Sequence, residues 1–375
     1  MNGVRHLYVH LPFCAQRCGY CDFVTVVGRR GQHATYVDAL LRELELERGL
    51  LADELETVFL GGGTPTFTAL PELLRLLDAL PPAAGEVTVE ANPETVTLGL
   101  ARALREAGVT RVSLGAQTFR AALLRVLERV AGPDDVRRAV HHLRDAGFDN
   151  ISLDLVYGIP GQSASDLDAD LDDALALAPE HLSCYELEAK PGTRFTHAWG
   201  AELARQADAM EEYFERVVAR LTGAGYRWYE TANFCRTSAA VSVGASGRDL
   251  RARHNLAYWL GRDYLGLGIG AVTTIENRRW RNTPRLGRYL EALRARRAPE
   301  RELEPLDAEV RRREQVMLGL RLDEPLRLAG LGEALDPVGL VRAERLGLAT
   351  QVDGTLTLTE RGRFLGGAVT ADLLA

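Results

Sequence analysis

Through the first 230 residues, short apolar runs recur between longer stretches whose apolar positions fall at helical spacing. The runs His6–Leu11, Thr57–Leu60, Val87–Glu90, Arg111–Leu114, Ile151–Val156 and His181–Leu187 predict strands. Helical spacing follows each of them, as in Tyr36–Leu50 and Val136–Ala146. Six strand-then-helix units predict parallel strands joined by right-handed crossovers, as an open doubly wound sheet or a partial barrel. Periodicity fits either arrangement.

In both, the chemistry lies just beyond the carboxyl ends of the strands. Unusual residues fall there repeatedly: Cys14–Cys21, Gly61-Gly62-Gly63-Thr64-Pro65, Glu90-Ala91-Asn92-Pro93, Gly115-Ala116-Gln117 and Tyr157-Gly158-Ile159-Pro160. Five clusters at one geometrical end predict a site there. The glycine run lacks the Lys-Ser/Thr ending of a phosphate loop, and by itself reads as a turn.

From Gly223 the alternation breaks down, and residues 236–248 are small and polar, as in a loop. Beyond Leu306, helix-like stretches Asp307–Leu320 and Pro337–Leu346 precede two alternating runs joined by Asp353-Gly354, a strong hairpin signal. Helices followed by such a hairpin predict a small winged-helix-like module.

The chain of 375 residues is long enough for one large domain and one or two small ones, and its apolar content excludes disorder. A net charge of −7 argues against global attraction to nucleic acid or anionic membranes. The charge is unevenly placed: residues 241–300 hold 12 Arg against 5 acidic side chains, leaving 33 basic against 47 acidic elsewhere. That balance argues against non-specific DNA binding by the terminal module. Lys190 is the single lysine, a skew that reads as genome composition. The first residues lack the apolar stretch of a signal peptide, and the longest uncharged apolar run, Leu265–Ile275, is far short of the ~18 residues that span a bilayer. The expectation is a cytoplasmic protein.

Five cysteines are an odd number, and three of them crowd into Cys14-Ala-Gln-Arg-Cys18-Gly-Tyr-Cys21, which suits a metal site better than a disulfide framework. One reading is a structural zinc site closed by His10 as fourth ligand. The other is an iron-sulfur cluster on three thiolates, with one iron open to an exchangeable ligand. Cys184 reads as a small core residue, and Cys235, beside the loop, as a free thiol.

The cysteine spacing resembles that of the radical S-adenosylmethionine superfamily. Around it, Tyr8-Val9-His10-Leu11-Pro12-Phe13, Tyr20-Cys21-Asp22-Phe23, the glycine run, Glu90-Ala91-Asn92-Pro93, Gly115-Ala116-Gln117-Thr118-Phe119, Ser152–Gly161 and Tyr264–Gly268 are similar to the family of anaerobic coproporphyrinogen III dehydrogenase and its haem-chaperone relative. The resemblance implies α/β class: a partial (β/α)6 barrel over residues 1–232, a basic haem-binding segment over 233–300 and a winged-helix-like α+β domain over 301–375. It further implies a 4Fe–4S cluster on Cys14, Cys18 and Cys21, whose fourth iron takes S-adenosylmethionine. The cofactor contacts carried over are Tyr8, Tyr20, Asp22, Gly62, Gly63, Thr64, Glu90, Gln117, Arg129 and Asp154. At Asp22 an aspartate replaces a smaller residue of the dehydrogenase pattern.

Two departures favour the haem-chaperone branch. Phe23 stands where the dehydrogenase carries an extra cysteine, and the long N-terminal extension of that enzyme is missing before Cys14. His254-Asn255-Leu256-Ala257-Tyr258-Trp259 matches the branch's haem motif, which implies haem contact by His254, Tyr258 and Trp259. Among the nearby Arg248, Arg251, Arg253 and Arg262, one or more are expected to hold the propionates. Val272 stands where relatives often carry a further histidine, and the 236–248 stretch is longer than expected. The expected partners are haem, haem-accepting apoproteins with membrane-associated respiratory proteins as candidates, and an electron donor such as flavodoxin or ferredoxin. No nucleic-acid partner is expected. The alternative is an oxygen-independent coproporphyrinogen III oxidase.

Overall fold

The computed structural model describes residues 3–191, 193–237 and 248–375. Most of the polar stretch 236–248 therefore lies outside the described residues. The six expected strands form, most of them longer at one or both ends: β1 His6–Leu11, β2 Leu55–Gly62, β3 Ala83–Ala91, β4 Arg111–Gln117, β5 Ile151–Tyr157 and β6 His181–Glu186. They pair in parallel in that order.

Three further strands join the same sheet. The hairpin of β7 (Tyr226–Glu230) and β8 (Asn233–Arg236) adds antiparallel beyond β6, and β9 (Leu265–Leu267) adds parallel on the free side of β1. Segment 233–300 thus contributes two strands to the large sheet. A separate antiparallel sheet joins β10 (Val272–Ile275), β11 (Arg278–Asn282) and β12 (Arg301–Pro305).

Alternation along the strands divides the large sheet into two chemically different faces. Leu7, Val9, Val58, Leu60, Val89, Val112, Leu114, Leu153 and Leu155 point to one side, where they share a core with α1 (His33–Glu47), α2 (Leu70–Ala79), α3 (Leu98–Glu106), α4 (Pro133–Asp145), α5 (Ala164–Ala176) and α6 (Met210–Gly223). The helices start where their caps dictate. The Ser163 hydroxyl accepts from the Asp166 N–H at 3.1 Å to open α5, and the Asp135 carboxylate accepts from the Gly132 N–H at 2.7 Å to open α4. The opposite face carries His6, Tyr8, Thr57, Glu90, Ser113, Ser152, Asp154 and His181, whose side chains bond to one another or to residues laid over them. This polar face is the interior of the partial barrel.

Helix α7 (Arg253–Trp259) lies over β2 and β3 on that interior side, with α8 (Ala308–Gly319) beside it. Then α9 (Pro337–Arg345), α10 (Gly366–Leu373) and the strands β13 (Leu326–Arg327), β14 (Ala349–Val352) and β15 (Thr355–Leu358) enclose a second core around Val316, Leu331, Leu356 and Leu373. The expected hairpin turn is present: Asp353 and Gly354 both take positive φ, 48° and 73°, which that turn demands.

Candidate functional site

The cysteine loop leaves β1 through Phe13–Cys14, which bridges in parallel to Val26–Val27, so the loop closes on itself. Cys14 is buried, and Cys18 and Cys21 are partly exposed. Burial raises the thiols of Cys14 and Cys21, and each of these is raised further by neighbouring cysteines of the loop. The three sulfurs therefore share one electrostatic neighbourhood.

A relay of hydrogen bonds holds that loop against the strand ends. Arg129 Nη2 donates to Asn92 Oδ1 at 2.9 Å and to the Gly115 carbonyl at 2.8 Å, while its Nη1 donates to Cys18 Sγ at 3.6 Å. Asn92 Nδ2 donates onward to Thr64 Oγ1 at 3.0 Å, and Thr64 Oγ1 donates to Cys14 Sγ at 3.4 Å. Arg129 Nε is buried without a partner. Asn92, which stands within the Glu90–Pro93 run of the sequence but is not among the expected contacts, links Arg129 to Thr64.

The glycine run is required by contact. A Cβ on Gly63 would meet the Pro12 carbonyl oxygen at 2.5 Å and Cys14 Sγ at 3.0 Å, and one on Gly62, which has φ 111°, would meet the His10 ring at 2.5 Å. The Gly62 N–H donates to Glu90 Oε2 at 3.0 Å. Burial, reinforced by Asp154, pushes the Glu90 carboxyl up to about 7, against the pull of that N–H. Asp154 accepts from Ser113 Oγ at 3.1 Å and is also raised by burial. Gln117 sits at a bulge in the β4–β5 pairing with φ 66°, a left-handed conformation that non-glycine residues seldom adopt and that collects at functional sites.

His10 is committed elsewhere. Its Nε2 donates to the Val24 carbonyl at 2.8 Å, so its Nδ1 accepts from the Tyr8 hydroxyl at 2.9 Å. Burial pushes the ring down to about 4. Both nitrogens are used, which corrects the zinc reading that needed His10 as a ligand. No three His, Cys, Asp or Glu side chains among the described residues are set around a single-ion position. A cluster that takes one thiolate per iron has no such requirement, and soft thiolates suit iron-sulfur chemistry.

Gly62, Gly63, Thr64, Glu90, Gln117 and Arg129 thus gather with the cysteines at the carboxyl ends of the strands, and Tyr8 and Asp154 lie mid-strand on the same interior face, both within electrostatic reach of Glu90. Tyr20 joins them from the loop, packed edge-on against Phe195 at 6.4 Å. Asp22 is more exposed, 3.9 Å from Lys190 Nζ. It borders a cleft of about 240 Å³ shared with Tyr8, Val272, Arg281 and Tyr258.

The haem motif is placed differently. His254 is 1% exposed and stacks on Phe59 at 5.2 Å. Its Nδ1 bonds Thr57 Oγ1 at 2.7 Å and its Nε2 bonds the Tyr258 hydroxyl at 2.8 Å. Thr57 Oγ1 also bonds His6 Nδ1 at 2.9 Å. Burial pushes His254 down to about 3, so the ring is neutral. Tyr258 and Trp259, by contrast, line a larger cleft of about 540 Å³ between α7, the β10–β11 hairpin and α8. Of the four arginines singled out, Arg262 lines this cleft; Arg248 pairs with Asp149, and Arg251 with Asp249 and Glu324. Cys184 and Cys235 are both buried, and burial pushes the Cys235 thiol up to about 11. No helix among the described residues is long and apolar enough to cross a membrane.

The model of the radical SAM superfamily matches residues 8–174. Proteins named heme chaperone HemW are similar over nearly the whole chain: that of Mycobacterium tuberculosis is 37% identical, covering 98% of this chain and 94% of its own, and that of Bacillus subtilis 32%, covering 98% of each. The Escherichia coli protein of that name is 37% identical over 77% of each chain. Among solved structures, coproporphyrinogen III oxidase (HemN) from Escherichia coli, a radical SAM enzyme, superposes with a TM-score of 0.82 over 99% of this chain and 90% of that one, at 23% identity. That likeness shows the radical SAM fold.

Proposed function

Since the chain belongs to the heme chaperone HemW family within the radical SAM superfamily, we propose that it binds haem and passes it to acceptor apoproteins, carrying a 4Fe–4S cluster as it does so. Similarity to proteins of that name over 98% of the chain carries this reading. The coarser inference, that the family implies a cluster and S-adenosylmethionine, agrees with the donor set of Cys14, Cys18 and Cys21. When bound, the cluster supplies an iron site and an electron to S-adenosylmethionine.

The chain's own residues prepare the surroundings. Gly62 and Gly63 let the run pack directly against His10, Pro12 and Cys14, where any Cβ would collide. The Glu90 carboxylate, ionised near neutrality, is an acceptor suited to an amine or ribose hydroxyls. Asp154 is held ready by Ser113, and Arg129 spans Cys18 and Asn92 so that the loop and strand ends keep one geometry. Tyr8, Tyr20, Asp22, Thr64 and Gln117 complete the proposed S-adenosylmethionine contacts. Haem contact is assigned to the α7 motif, through Tyr258 and Trp259 at the larger cleft, with His254 behind them. We place the protein in the cytoplasm, with flavodoxin or ferredoxin as electron donor and membrane-associated respiratory proteins among the acceptors.

The test is anaerobic incubation of the cluster-reconstituted protein with coproporphyrinogen III, S-adenosylmethionine and reductant. No vinyl product is expected, together with retention of added haem. Vinyl product would make the protein an oxidase and defeat the chaperone reading.

A further inference from the structure

The larger cleft has the size and charge of a site for an apolar dianion. At about 540 Å³ it falls within the roughly 300–1,000 Å³ of small-molecule pockets. Leu260 and Met317, each 49% exposed, present apolar surface along it, and Trp259 lines it with an indole Nε1 that is buried and unpartnered. Arg321 covers the Trp259 ring at 4.7 Å. Charge is left over as well. Arg279 is neutralised by Glu314 through two bonds of 2.7 and 2.8 Å, whereas Arg262 has no ion-pair partner among the described residues and Arg311 has only a 3.5 Å contact with Asp263.

Soft iron ligands in the cleft narrow to one, and the second phenol that lines it, Tyr264, bonds to Thr274. No histidine or cysteine lines it, Glu314 is taken by Arg279, and the Tyr258 hydroxyl is bonded to His254. The Met317 thioether, at the edge of the second domain, is the remaining soft donor. We propose that this cleft is the haem seat, with Met317 facing the iron and Arg262 and Arg311 receiving the two propionates. The proposal rests on the haem-chaperone reading and deepens it. In it His254 is a positioning residue: it fixes Tyr258, which with Tyr264, at 4.5 Å between rings, forms the wall shared by this cleft and the smaller one beside Tyr8.

The experiment is an anaerobic titration of ferrous haem into the cluster-reconstituted full chain and into Met317→Leu, the double variant Arg262→Ala/Arg311→Ala, and His254→Gln, with cluster absorbance and circular dichroism verifying each fold. Met317→Leu is expected to lose the thioether-ligated spectrum and to bind about tenfold more weakly. The double variant is also expected to weaken haem about tenfold, while haem dimethyl ester, whose propionates are neutral, binds it as it binds wild type. His254→Gln is expected to retain the thioether spectrum. Haem bound equally by wild type, Met317→Leu and the double variant would overturn the seat and leave the chaperone reading intact, as would loss of iron ligation in His254→Gln alone. Failure of the wild type to bind haem would remove both.

Discussion

At the carboxyl ends of β1–β5 polar side chains gather around the cysteine loop, whereas at His254 on α7 they close on one another. The first region holds three thiols, an unpartnered Arg129 Nε and a carboxyl, Glu90, that ionises only near neutrality. In the second, His6, Thr57, His254 and Tyr258 form one continuous bonded chain, and the central histidine is neutral and buried. Donors and acceptors left unsatisfied inside a protein are costly unless something else meets them, so the first arrangement suits the proposed cofactor site and the bonded chain through His254 suits a support. A motif residue can therefore serve a site by holding its wall.

The comparison can be broken most severely at Cys14. Cys14→Ala should abolish the cluster, seen as loss of its optical and paramagnetic signals after anaerobic reconstitution, while His254→Gln keeps both; an unchanged signal in Cys14→Ala would remove the cluster assignment.

Next in size is the pH response of Glu90. Its folded-state value, about 7, lies above its ordinary 4.5, so the native state holds a proton that the unfolded chain has released, and stability falls as pH rises from about 4.5 to about 7. The shift corresponds to about 3 kcal/mol for this buried group. Glu90→Gln should flatten that fall in denaturant titrations. Glu43, buried under Tyr289, Gly268 and Asn282 and likewise raised to about 7, keeps its own share. S-adenosylmethionine, as a cation, should bind more tightly as pH rises through about 7, and a pH-independent affinity in wild type would contradict the role given to Glu90.

Gly63→Ala sets a Cβ against the Pro12 carbonyl and Cys14 Sγ, and overpacking of this kind costs roughly 1–3 kcal/mol. Lower thermal stability with reduced cluster occupancy is expected; wild-type values for both would show that the loop yields. The smallest effect is Arg262→Ala, which should change stability by less than about 0.5 kcal/mol because the side chain is exposed and unpaired among the described residues, with any consequence confined to haem.

Much of this contrast was legible in the residues. The six parallel strands follow from runs separated by helical spacing, and the site at their ends from cysteines, glycines and Glu90 recurring there. Strand β9 was not, because three residues between Tyr264 and Gly268 are too few to show a period. The bulge at Gln117 depends on pairing with β5 and leaves no local trace. The burial of His254 is set by Thr57, 197 residues away, and by Phe59 beneath it, contacts that no local motif encodes. The large cleft exists because α8, whose Val316 belongs to the second core, comes to lie beside α7, so neither Arg311 nor Met317 could be linked to the motif by reading along the chain.

The most direct measurement is an absorbance titration of haem into the purified wild-type protein with its cluster in place. The account predicts a saturable spectral change ending at one stoichiometric equivalent, with the cluster signal retained. A linear, unsaturable increase indistinguishable from free haem would contradict it.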